Sequence, residues 1–135
     1  RRAEVSCAAG GAGLTCGQIF PRVRDIGLGA RVKFLGYASD PTQLYHAADL
    51  AVLASQSESL SNFLIEAQLH GLPAVAYDIV GVGECFAPGR SGCLIPNADQ
   101  AAFVTALDRL IRQPAERQRF AQHGLPDTTR SAPWA

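Results

Sequence analysis

Two carboxylates beside a helix start are the residues best placed to do chemistry. Glu58 and Glu66, with seven residues between them, lie in the stretch 55–71, Ser-Gln-Ser-Glu-Ser-Leu-Ser-Asn-Phe-Leu-Ile-Glu-Ala-Gln-Leu-His-Gly. The apolar run Leu50 to Ala54 precedes them and reads as a short buried strand. Ser55 to Ser59 read as a polar loop, and Ser61 or Asn62 then caps a helix that ends at Gly71. Strand, loop and helix N-terminus in that order is where an open α/β sheet receives a ligand. A helix start offers free N–H groups and the positive end of the macrodipole, which suit a phosphate. Glu66 lies about one turn into the helix, and its side chain leans back toward the N-terminus. Two carboxylates repel a phosphate, so without a metal they are better suited to accept hydrogen bonds from hydroxyls. A nucleoside diphosphate sugar, with phosphate in the middle and hydroxyls on both sides, satisfies the whole set.

The elements that position this stretch alternate along the chain. Glu4 to Ala9 reads as a short strand that runs into the glycine turn Gly10-Gly11-Ala12-Gly13. Ile19, Phe20, Val23 and Ile26 have helical spacing, with Pro21 either starting that helix or kinking it. Gly27-Leu28-Gly29 ends it, and Val32 to Tyr37 reads as the next strand. Asp40 as cap, Pro41 at the first helical position and Gln43 closing a capping box predict a short helix through Ala48. After the central helix, Pro73 to Tyr77 reads as a strand, 78–84 as a glycine-bearing loop and Cys93 to Ile95 as a further strand. Asn97 is the expected cap of a helix with the stripe Phe103, Leu107, Leu110 and Ile111. A polar helix from Pro114 is expected to stop at Gly124, leaving 125–135 as an irregular tail. Alternating strands and helices call for an α/β fold, a doubly wound parallel sheet over residues 1–124.

The stretch ESLSNFLIEAQLHGLPAVAYD, read as a whole, closely resembles the signature of the retaining GT-B glycosyltransferases of family 4, the group 1 glycosyltransferases. The resemblance spans roughly Val5 to Gly124. It implies the C-terminal, Rossmann-like half of a GT-B enzyme, which binds a nucleotide diphosphate sugar for retaining transfer of a hexose to a hydroxyl acceptor. On this pattern Glu58 holds the transferred sugar, with the backbone of Ser59 and Ser61 nearby. Glu66 accepts from the ribose hydroxyls, and the N–H groups of Leu60, Ser61, Asn62, Phe63 and Leu64 face the diphosphate. Gly11 and Gly13 match a Gly-x-Gly turn near the nucleotide. Tyr37 falls in the loop placed against the base, with a packing role at a strand end as the alternative. Gly81, Gly83 and Glu84 approximate a glycine loop near the sugar or phosphate. The resemblance implies no metal and no cofactor. UDP-sugars are the commonest family donors, with GDP- and ADP-sugars as alternatives.

The family's first strand and helix of this domain, with the Arg and Lys that hold the diphosphate, have no counterpart here, since Arg1 and Arg2 do not match that motif. The N-terminal acceptor domain also lies outside the match. On this reading the chain is part of a longer enzyme and does not turn over alone. The rival readings are a non-catalytic remnant of the same fold, an epimerase, or a phosphorylase. Against the last stands Lys33, the chain's only lysine, in a predicted strand without the pyridoxal phosphate motif.

Composition bounds the partners. At 135 residues the chain is one domain with room for a core, and 47% hydrophobic with 18% charged residues is the balance of a globular protein. Zero net charge and no basic tract argue against nucleic acid or an anionic membrane surface. No apolar run approaches the length of a membrane span. Cys7, Cys16, Cys85 and Cys93 form no Cys-x-x-Cys pair and read as reduced thiols of a cytoplasmic protein. His46, His70 and His123 read as surface or core residues, not ligands.

Overall fold

The computed structural model describes residues 7–10, 21–36, 42–54 and 62–131. They fall in two compact units, 1–42 and 43–135. In the first, β1 (Cys7–Gly10) and β2 (Val32–Gly36) pair in parallel, Cys7 opposite Val32, with a register shift between Ala9 and Gly10. Residues 21–25 are helical, Pro21 included. The helix closes as the sequence predicts. Gly27 takes φ +81°, and the N–H of Leu28 reaches back to the carbonyl of Val23 at 3.0 Å. With the Gly27 N–H on Arg24, this is a Schellman turn, which needs a left-handed residue.

The second unit begins within α1 (Thr42–Ala47) and continues as β3 (Ala51–Leu53), α2 (Asn62–Leu69), β4 (Ala74–Asp78) and β5 (Gly92–Pro96). It ends with α3 (Gln100–Arg112) and α4 (Pro114–Ser131). The sheet order is β3-β4-β5, all parallel, with Ala51 opposite Ala74 and Ala74 opposite Gly92. β4 is central, so four of its five residues are buried. The two-residue period of a strand splits them between two cores. Ala74 and Ala76 pack with Leu64, Ile65, Val82, Cys85 and Phe86. Val75 and Tyr77 pack on the other face with Ile95, Phe103, Ala106, Leu110 and Phe120. Gly92 is dictated by this close pairing, because a Cβ there would stand 2.5 Å from the Ala74 carbonyl oxygen and 2.9 Å from the Phe86 ring.

α2 ends in the same turn as residues 21–25: Gly71 at φ +76°, with the Leu72 N–H on the Ala67 carbonyl at 3.0 Å. Below it the fully buried Gln68 donates through Nε2 to the carbonyls of Leu72 at 2.7 Å and Ser91 at 3.2 Å.

Two expectations are corrected here. The cap of α3 is Asp99, not Asn97; its Oδ1 accepts from the Ala102 N–H at 3.0 Å. Ala98 has φ +67°, so the chain turns away from helical geometry after Asn97, and only the next residue is placed to cap. The helix from Pro114 does not stop at Gly124 but runs to Ser131, so 125–131 are not irregular. Nucleating a helix is the costly step. Once propagating, the helix carries Gly124 and Pro126 at local costs of about 1 and about 3 kcal/mol.

Candidate functional site

β3 and α2 follow one another in the expected order of strand and helix start. Glu58, Ser59, Leu60 and Ser61, like Gly11, Gly13 and Tyr37, lie outside the described residues. The rest of the predicted set is on α2. Asn62, Phe63 and Leu64 form its first turn and Glu66 follows one turn on. The first turn holds no acidic residue, so no fixed negative charge of its own opposes an anion there. Leu64 is fully buried in the core beneath the helix, so its side chain is spent on packing. Phe63 is half-exposed and Glu66 exposed.

The structure adds a residue that the sequence reading missed. Tyr45 of α1 donates its phenol to Glu66 Oε2 at 2.9 Å. Its ring is buried with Ala51, Ala67 and Leu72, lies 6.2 Å from Phe63, and stacks on His70 at 4.8 Å. Burial pushes the phenol pKa well above its ordinary value, and the hydrogen bond to Glu66 and that residue's charge push the same way. Tyr45 is therefore a standing donor at neutral pH. His70 is tied to the same helix, its Nδ1–H donating to the Glu66 carbonyl at 2.8 Å, and His46 meets it edge-on at 5.3 Å. Among the described residues no three His, Cys, Asp or Glu side chains gather as metal ligands would.

The loop after β4 leaves the sheet at its carboxyl edge, the edge where the parallel strand β3 also ends. It folds in tight turns, with Gly81 at φ +87° and the Val82 N–H on the Ile79 carbonyl at 3.1 Å. Val82 is buried, while Glu84 and the tip residue Val80 face solvent. Cys93 of β5 is a partly buried free thiol. Burial raises its thiol pKa, and the nearby Arg109, whose Nη2 donates to the sulfur at 3.2 Å, only partly opposes it.

A parallel sheet with helices packed on β4 and a helix start at its carboxyl edge defines a Rossmann-like α/β domain. The chain belongs to the group 1 glycosyltransferases: the model of that family, Glycosyl transferases group 1, matches residues 3–113. It is 38% identical over 99 residues to a D-inositol 3-phosphate glycosyltransferase of Frankia alni, covering 72% of this chain and 24% of that protein. The chain thus spans about a quarter of that relative's length. Among solved structures, S. aureus TarM superposes with a TM-score of 0.87 at 24% identity, over 93% of this chain and 26% of that one, a likeness of fold. The Anabaena protein HepE, crystallised in complex with UDP, superposes with a TM-score of 0.84 at 25% identity, over 94% of this chain and 36% of its own. These are GT-B glycosyltransferases, and the chain has the Rossmann-like fold of their C-terminal half. Among the described residues no helix is long and apolar enough to cross a membrane.

Proposed function

We propose that the chain is the donor-binding half of a glycosyltransferase, which holds a nucleotide diphosphate sugar while a hexose passes to a hydroxyl acceptor with retention at the anomeric carbon. The observation that carries this reading is Glu66: an exposed carboxylate one turn into a helix whose first turn holds no acid, at the carboxyl edge of a parallel sheet. The family match and the UDP in HepE support a nucleotide diphosphate as the ligand. Retention follows from the family resemblance of the signature.

In this reading the diphosphate lies at the start of α2. Charge that develops on it as the glycosidic bond breaks would be met by the N–H groups of positions 60–64, the donors that the family pattern implies. Glu66 accepts from the ribose hydroxyls, and Glu58 from the hydroxyls of the sugar. The donor nucleotide is UDP in the first instance, with GDP and ADP as alternatives. The acceptor is held by a domain beyond this chain, and the product is a glycan. Neither a metal nor a cofactor has a part in this scheme. We place the enzyme in the cytoplasm, where thiols such as Cys93 stay reduced.

The test is a protein-observed NMR titration with UDP, GDP and ADP, repeated on Glu66→Ala. A hydrogen bond to a charged group is worth about 1.5–3 kcal/mol, so the variant should lose about 10- to 100-fold in affinity. Equal affinity in both proteins would remove Glu66 from the site, and no response to any nucleotide would remove the reading.

A further inference from the structure

We propose that Tyr45 is a positioning residue for nucleotide recognition: its phenol fixes the Glu66 carboxylate in the orientation that receives the ribose diol. The inference rests on the reading of Glu66 given above and goes beyond it. Glu66 is exposed, and a glutamate on a helix surface ordinarily samples many rotamers, whose loss on binding weakens affinity. Here one oxygen is held. The Tyr45 phenol donates to Oε2 at 2.9 Å, a bond strengthened by the charge on its acceptor.

The donor itself has little freedom. Only 8% of Tyr45 is exposed, and its ring sits against Ala51, Ala67 and Leu72. His70 stacks on that ring and is bonded back to the carbonyl of Glu66 itself. Ring and hydroxyl thus tie α1 to the same residue of α2. An ionised carboxylate has about four lone-pair positions on two oxygens. With one on Oε2 occupied by the phenol, Oε1 remains open to accept from two adjacent hydroxyls. A ligand without the 2′-hydroxyl forgoes part of that pairing, so the Tyr45–Glu66 pair acts on ribose discrimination. The rival role for Tyr45 is packing alone, and phenylalanine separates the two because it keeps the ring and removes only the hydroxyl.

Affinities for UDP and 2′-deoxy-UDP are measured by calorimetry on the full 135-residue chain, on Tyr45→Phe, on Glu66→Gln and on the double variant. The unmodified chain should prefer UDP. Tyr45→Phe should weaken UDP binding by roughly 3- to 10-fold, the scale of one hydrogen bond, while 2′-deoxy-UDP moves little. In the Glu66→Gln background the same change should cost nothing further, since a residue acting through Glu66 is not additive with it. Should Tyr45→Phe leave both ligands unchanged, or weaken both equally, Tyr45 merely packs and the inference falls while Glu66 keeps its role. If Glu66→Gln leaves the ratio of the two ligands unchanged, or no nucleotide binds the unmodified chain, the reading of Glu66 falls and the inference with it. A readout independent of variant folding is the Tyr45 ring carbon bearing the hydroxyl, labelled with 13C in the unmodified chain. Its resonance should shift with UDP and stay in place with 2′,3′-dideoxy-UDP; equal shifts would overturn the inference.

Discussion

α2 and α3 pack on opposite faces of β4, and they treat their polar groups differently. α3 has both ends settled within the fold. Asp99 caps its start, Arg109 and Arg112 stand in its last turn, and Arg117 of α4 donates to the carbonyls of Leu110 and Ile111 at 2.7 and 2.8 Å. Its buried residues Phe103, Ala106 and Leu110 follow the helical repeat. α2 buries Leu64, Ile65, Ala67 and Gln68 and closes its C-terminus at Gly71, yet its only carboxylate is held by Tyr45 from another helix. A helix whose polar groups are spent on its caps and on packing with the next helix serves the fold. On α2 the charged side chain held by another helix is the exposed Glu66, the residue assigned to the ligand in the proposed function.

The comparison breaks most visibly in the core. Leu110→Ala should destabilise the chain by about 2–5 kcal/mol in urea denaturation, the cost of an unfilled leucine site. Nucleotide affinity of the folded protein should stay unchanged; a parallel loss of affinity would show that α3 is not merely structural. On α2 the effects trade places. Glu66→Ala carries the 10- to 100-fold affinity loss described above, with only about 1–3 kcal/mol of destabilisation from the buried Tyr45 hydroxyl left without its acceptor. Asp99→Ala sharpens the contrast at the other helix start. It should cost about 1 kcal/mol of stability by thermal melting and nothing in binding, and an unchanged melting temperature would deny the cap its role.

The smallest effect is in alkali. Because folding raises the Tyr45 pKa, the unfolded chain gives up this proton first, from about pH 10, while the folded chain still holds it. The stability that the bonded phenol contributes is complete below about pH 10 and drains away as pH rises from there toward the folded value. The melting-temperature gap between the unmodified chain and Tyr45→Phe should therefore narrow from about pH 9 to about pH 11. A constant gap across that range would mean that the phenol does not titrate with folding.

Local chemistry was readable in the sequence, and long-range pairing was not. The strand before α2, the glycine stops at Gly27 and Gly71, and the place of Glu66 on a helix all follow from rules that act within a few residues. Tyr45 and Glu66 meet across 21 positions, and nothing in a six-residue helix announces which distant carboxylate its tyrosine will find. The Asp99 cap was hidden by Ala98, whose left-handed backbone no alanine advertises. The continuation of α4 to Ser131 was hidden by Gly124 and Pro126, residues that stop most helices but only tax one already formed.

Gln68 has a mechanical consequence. Its buried amide clasps the carbonyls of Leu72 and Ser91, one just past the end of α2 and the other at the threshold of β5. A helix pinned in that way cannot creep along its own axis without releasing both. The height of Glu66 above the sheet is then a fixed gauge, set two residues away on the opposite side of the helix. Tuning such a gauge calls for changes in the foundation, so variants that shift Glu66 relative to the sheet would be sought at Gln68 and Ser91 before the rim.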